Sequence, residues 1–335
     1  MRAMDFLHAP EALVAMLAAF AVSLACLGFL LSPVARRLIL DQPNERSLHE
    51  RPVSRSGGIA IAAGVAAAAF AAPHGLAAPL ALSGALAALS LADDVLTLPT
   101  LLRLTVHFAA AGTVLGLEIG VADPALFVLL LLAIAWYTNL YNFMDGSDGL
   151  AGGMTVFGFG AYAWAAHQSG NAALTMVSAS IAAASGAFLL VNFHPARLFM
   201  GDAGAIPLGF LAGALGLAGW RDGLWPAWFP LLVFSPFVVD ASLTLARRIA
   251  RGDKVWIAHR EHYYQRLVRM GFGHLRTALA EYALMAACAA AALAARAAPG
   301  DVQAAALAAS VAGYCVLAVW IDTRWSRHKA GSAPG

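Results

Sequence analysis

The sequence predicts an all-α polytopic membrane protein of about eleven transmembrane helices. Three observations point there. Of 335 residues, 61% are hydrophobic and 12% are charged, about half the charged fraction of a soluble domain. Mean hydropathy is +0.72. Apolar runs approaching about 20 residues, the length that crosses a bilayer as a helix, recur along the whole chain.

The first run is 11–31. Before it, Met1 to Pro10 carries Arg2, Asp5 and His8 with no A-x-A-type cleavage site, and after it come Arg36 and Arg37. That pattern predicts an uncleaved first membrane helix rather than a signal peptide. The runs 57–72 and 76–92 follow, rich in Ala and Gly, as interior helices packed through small residues are. Then come 104–121, 125–141, 153–167, 172–191, 205–220, 227–245, 277–297 and 303–321. The polar residues 326–335 are expected to form a flexible tail. Cys26, Cys288 and Cys315 all lie in apolar runs, with no CxxC and no nearby His. They are expected as small core residues, not as a disulfide or zinc framework.

Alternation of the eleven segments places the loops 32–56, 93–103, 142–152, 192–204 and 246–276 and the tail on one side. All of the 21 Lys and Arg residues except Arg2, Arg221 and Arg296 fall there. The positive-inside rule makes that side cytoplasmic, with the N-terminus facing outward and the C-terminus inward. Asp93, Asp94, Asp145, Asp148 and Asp202 gather on the same face, at helix ends.

Five constellations carry chemistry. Asp93-Asp94 closes the helix ALAALSLADDVLTLP. Two adjacent carboxylates repel, and a cation or shared proton relieves them; a solvated helix terminus is the plain alternative. In NLYNFMDGSDGLAGG, Asn139, Asn142, Asp145 and Asp148 recur every third residue among glycines that let backbone approach a ligand. Polar side chains beside a membrane core point to function. The D-G-S-D-G run lacks the ligand pattern and terminal Glu of an EF-hand. In NFHPARLFMGDAGA, Asp202 heads a helix as either metal ligand or cap, with Asn192 and Arg197 as donors. HREHYYQRLVRMGFGH offers His259, Arg260, His262, Arg266 and Arg269 as an anionic site or as anchors to lipid headgroups. DQPNERSLHERPVSRSGG supplies Arg46, His49, Arg51 and Arg55 in a basic loop facing the same site. Carboxylates with oxygen-rich surroundings suit Mg²⁺ or Mn²⁺, and basic groups suit phosphates. No P-loop, dinucleotide motif, zincin helix or nucleophile elbow is present. Metal-assisted phosphoryl transfer beside the bilayer is the expectation, and no nucleic acid is expected as a partner.

In combination and order, DQPNERSLHERPVSRSGG, LADDVLTLP, NLYNFMDGSDGLAGG, FMGDAGAIPLG and HREHYYQRL resemble the polyprenyl-phosphate N-acetylhexosamine-1-phosphate transferases, over residues 41–270. The resemblance implies one transmembrane catalytic domain, 1–325, in a bacterial inner membrane with its N-terminus periplasmic and C-terminus cytoplasmic, that uses Mg²⁺ to transfer the sugar phosphate of a UDP-N-acetylhexosamine to undecaprenyl phosphate, with release of UMP. It implies that Asp93 deprotonates or positions the lipid phosphate and that Asp94 is its partner at the metal. Asp145 and Asp148 match the nucleotide and catalytic pair, and Asp202 a metal ligand. Asn142 and Asn192 match nucleotide contacts, and Arg55, His259, Arg260 and His262 match basic groups facing the diphosphate or sugar. Arg46, His49 and Arg103 join them as substrate contacts. A homodimer is left as an open arrangement.

The muramoyl-pentapeptide enzymes of the family carry three consecutive His residues where this chain has His259-Arg260-Glu261-His262. The sequence therefore resembles the branch that initiates O-antigen and related surface glycans. Leu101 stands where many relatives are basic, leaving Arg103 alone. An ion-coupled transporter is the rival from another class. It would need Asp240 and His107, the ionisable residues away from the loops.

Overall fold

A computed structural model describes residues 10–36, 54–69, 76–257 and 259–331. Arg46 and His49 lie outside the described residues. The described chain is helical, with no strand among its residues, as expected of a chain that must satisfy its own backbone hydrogen bonds in lipid.

The helices run α1 Pro10–Leu30, α2 Pro33–Arg36, α3 Gly57–Ala69, α4 Ala77–Leu96, α5 Thr100–Val114, α6 Pro124–Met144, α7 Leu150–Gln168 and α8 Ala172–Asn192. They continue as α9 Asp202–Arg221, α10 Trp228–Val233, α11 Ser235–Ala250, α12 Tyr263–Leu267, α13 Gly273–Ala295 and α14 Gly300–Gly331. Local chemistry sets several starts. Asp123 caps α6 by accepting from the Leu126 amide at 2.6 Å, with Pro124 opening the helix. Asn171 caps α8 in the same way through Leu174.

Each of the eleven predicted segments carries helix among its described residues, but they are not equal. Among the described residues, eight helices are long and apolar enough to cross a membrane. The other three segments fall short for different reasons. The helix α3 has 13 residues. The helix α7, 19 residues long, is diluted by glycine and polar residues. The 227–245 segment breaks at Phe234 into α10 and α11, where Pro236 opens the second helix. Two boundaries also differ from expectation. Helical structure resumes at Tyr263 rather than near 277, so the 246–276 loop is shorter than predicted. And α14 continues through Ser326 to Gly331, where a flexible tail was expected. All three cysteines are free; Cys288 is buried, but Cys315 is exposed on α14 rather than in the core.

The helix α9 forms the centre, with 89% of its spanning stretch enclosed, whereas α14 is peripheral at 11%. α9 packs against α3, α4, α6 and α7. The approach of α3 depends on two glycines: a Cβ at Gly58 would lie 2.2 Å from the Gly204 nitrogen. Small residues at such crossings allow backbones to touch. Here they bring the segment before α3 against the start of α9, where the candidate site lies.

Candidate active site

Residues 54–58 pair with 199–200 through main-chain hydrogen bonds. The Phe199 amide donates to Ser54 O at 2.9 Å, and the Gly57 and Gly58 amides donate to Phe199 O and Met200 O at 2.8 Å. Gly201 follows with φ +72°, and a Cβ there would lie 2.2 Å from Arg55 O. Only glycine fits that turn. Arg55 is thus fixed by backbone beside Gly201 and Asp202.

Asp145 closes on the same turn from α6. Its Oδ2 accepts from the Gly201 amide at 3.1 Å. Burial pushes its carboxyl up to about 8, and the nearby charge of Asp202 adds to this; the Gly201 hydrogen bond and Arg55 oppose it. Asp202 opens α9, where the helix dipole favours a negative charge. Its charge and that of Arg103 both reach His107 on α5. Among the described residues, no three or more His, Cys, Asp or Glu side chains are grouped to hold a metal ion. Mg²⁺ nonetheless binds through one or two carboxylates together with substrate phosphates and water. The pair of Asp145 and Asp202, with mutually unfavourable charges and hard oxygen donors, fits that requirement.

Asp93 ends α4 and organises the turn into α5. Its Oδ1 accepts from the Leu98 amide at 2.7 Å, and its Oδ2 pairs with Arg103 Nη1 at 2.5 Å. Asp94 is exposed on the same helix end. Asn142 sits half-buried on the last turn of α6, its carbonyl accepting the Asp145 amide.

Asp148 is placed differently from its sequence neighbour. It is 3% exposed, and its Oδ2 takes His194 Nδ1 at 2.6 Å and the Ala196 amide at 3.2 Å. The His194 ring stacks with that of His274, whose Nδ1 meets Ser147 Oγ at 2.9 Å. Both histidines lie inside motifs marked in the sequence, yet neither was singled out, since an isolated His gives no spacing signal. Asn192 corrects an expectation. Its Oδ1 accepts from Gly149, and its Nδ2 donates to Leu198 O. At 2% exposure it ties two turns together rather than presenting its amide to a nucleotide.

The His259–His262 turn packs on the end of α6. Phe143 stacks on His262, and Tyr264 donates to Phe143 O at 3.2 Å. His262, 4% exposed, meets Asp240 through Nδ1 at 3.0 Å. Asp240 also accepts from the Tyr263 and Tyr264 amides, each at 3.0 Å. It therefore anchors α12. The ionisable residue that a transporter would need is a fully engaged capping group here. Its sequence signal was an acid in an apolar segment two turns before Arg247. His259 is pushed down to about 4 by burial, by His262 and by Arg248. That direction favours the neutral imidazole near pH 7. Arg260 is half-buried, and its carbonyl accepts from Arg269.

Residues 76–219 match the model for glycosyl transferase family 4. A probable undecaprenyl-phosphate N-acetylglucosaminyl 1-phosphate transferase of Bacillus subtilis (strain 168) is 27% identical over 296 residues, covering 81% of this chain and 82% of its own. Phospho-N-acetylmuramoyl-pentapeptide-transferases match over less. That of Moorella thermoacetica is 41% identical over 30% of each chain, and that of Lactobacillus helveticus is 35% identical over 39% of each.

Proposed function

From the match of residues 76–219 to glycosyl transferase family 4 and from the relative that spans four fifths of the chain, we propose that this protein transfers an N-acetylhexosamine phosphate from a UDP-sugar to undecaprenyl phosphate at the cytoplasmic face of a bacterial inner membrane. A terminal oxygen of the lipid phosphate attacks the β-phosphorus of the UDP-sugar. The bond from that phosphorus to the oxygen bridging it to the α-phosphorus breaks, and UMP leaves. The product is a polyprenyl-diphosphate sugar, the starting unit of a surface glycan.

One observation carries the reading: Arg55, Asp145 and Asp202 meet on a main-chain-fixed turn at the end of an otherwise apolar bundle. Chemistry on a charged group attached to a membrane lipid needs such a boundary. Asp145 and Asp202 would hold Mg²⁺, whose charge offsets that of the diphosphate when bound. Arg55 would orient the diphosphate, and Arg103, held by Asp93, would meet the lipid phosphate. His259, neutral, serves as a hydrogen-bond partner for the sugar phosphate. Coverage of four fifths of the N-acetylglucosaminyl relative, against a third of the muramoyl ones, favours an N-acetylhexosamine without a peptide.

The test is purified protein with undecaprenyl phosphate, Mg²⁺ and a panel of UDP-sugars. Lipid-dependent UMP release is expected, and UDP release would overturn the mechanism. Mg²⁺ at about 100 times its dissociation constant should stabilise the wild-type fold by about 2.7 kcal/mol. Asp202→Asn should lose both that stabilisation and turnover; a variant that keeps both removes Asp202 from the metal site.

A further inference from the structure

The buried face of α5 is Ala110, Ala111 and Val114, with one polar exception, His107. His107 is 5% exposed, and its Nδ1 is enclosed with no hydrogen-bond partner among the described residues. An apolar side chain of similar size would fill the same place without leaving a polar atom unsatisfied. Packing alone does not account for an imidazole there. Its surroundings are those of the candidate site. Arg103 lies four residues earlier on α5 and so on the same face. Asp202 opens α9, against which α5 packs, and the charges of both residues reach His107. Helical side chains lean toward the N-terminus of their helix. The ring therefore leans toward Arg103 and the α4–α5 turn that Asp93 organises.

We infer that His107 donates a hydrogen bond from Nε2 to the phosphate of the polyprenyl phosphate, an assignment that rests on the function proposed above. The enclosed Nδ1 does not reach a ligand, which leaves Nε2 as the outward nitrogen of the ring. Proton placement agrees. In the neutral ring a buried bare lone pair is tolerated better than a buried N–H without an acceptor, so the proton sits on Nε2 and makes it a donor. Depth selects the substrate. His107 stands seven residues into α5, about 10 Å along the helix axis from the α4–α5 turn. A nucleotide sugar enters from water, on the loop side. A lipid phosphate enters from the bilayer, and the deeper residue on a membrane helix is the one it passes. Arg103 near the turn and His107 one helical turn below it would then hold the same phosphate from two levels.

Wild-type protein with ¹⁵N-labelled histidine rings gives the first test, the His107 signal being identified by its loss in His107→Gln. Undecaprenyl phosphate, added without UDP-sugar or Mg²⁺, should shift the Nε2 resonance. Undecaprenol, the same chain with no phosphate, should leave it in place. No shift with the phosphate, or an equal shift with the alcohol, overturns the assignment. A shift produced by the UDP-sugar and not by the lipid also overturns it, in favour of the diphosphate. Kinetics give the second test. His107→Leu should raise KM for undecaprenyl phosphate about tenfold or more, as expected for one lost hydrogen bond to a charged oxygen, while KM for the UDP-sugar stays within about twofold. His107→Gln restores an N–H donor and should recover most of that loss. An unchanged lipid KM in His107→Leu, with or without a lowered thermal midpoint, assigns the ring to packing and refutes the contact. A failure of wild-type protein to release UMP would instead refute the proposed function, since the ring shift needs no turnover.

Discussion

Gly201 decides where two functional side chains stand. Its amide holds Asp145, its left-handed φ of +72° turns the chain into α9, and its missing Cβ leaves room for Arg55 O. A methyl group there meets both a conformational cost of about 1–2 kcal/mol and a backbone atom that has no room to move. Gly201→Ala should therefore reduce UMP release by at least about a hundredfold, with the protein still inserted and its thermal midpoint lowered. Near-normal turnover would mean that the turn does not position Asp145. The placement of Asp145 and Asp202 beside glycines at helix ends could be read from the sequence, but a metal ligand and a helix cap are the same residue at the same place. Asn192 could not be separated from them. An amide that bridges two turns and an amide that reads a base are the same residue at the same spacing. Only its partners, Gly149 and Leu198, tell them apart. His194 is illegible in the sequence for the converse reason, since its partner Asp148 lies 46 positions away.

Among the elements, α12 shows how a short helix is placed by a distant acid. Five residues are too few to be stable alone. Tyr263 and Tyr264 give their first-turn amides to the Asp240 carboxylate, and His262 adds its imidazole. Asp240→Asn keeps the shape but leaves one acceptor oxygen among these donors. The cost should be about 1–3 kcal/mol, as for a buried donor left unpaired. A lowered thermal midpoint and a matching loss of turnover are expected; an unchanged midpoint would show that α12 is held some other way. The sequence placed this region in a loop up to 276 because periodicity carries no information about a cap contributed by another helix. The break at Phe234 was legible in principle. Pro236 lacks the amide needed to continue α10, but the surrounding apolar run masked it. The long apolar runs themselves were readable throughout, since the bilayer leaves helices as the only solution for them.

At the scale of the whole molecule, many basic residues bind the protein to itself. Asp322 on α14 takes Arg247 at 2.5 Å and Arg266 at 2.8 Å. Arg251 pairs with Asp253 and Glu261, and Arg248 donates to the carbonyls of Lys254 and Val255. These contacts fasten the last helix and the 251–261 turn to the end of the bundle that holds the candidate site. That arrangement makes a topological demand. If the site faces the cytoplasm, the end of α14 does too, because Asp322, Arg247 and Arg266 form one cluster. If all eleven segments cross, an odd number, the N-terminus would lie outside, even though α3 is short and the 227–245 segment is broken. Fusions test this directly in cells. A reporter active only in the cytoplasm should work after Ala330 and fail before Met1, and a reporter active only in the periplasm should do the reverse. Both ends on the cytoplasmic side would mean that one of α3, α7 or the α10–α11 pair does not cross.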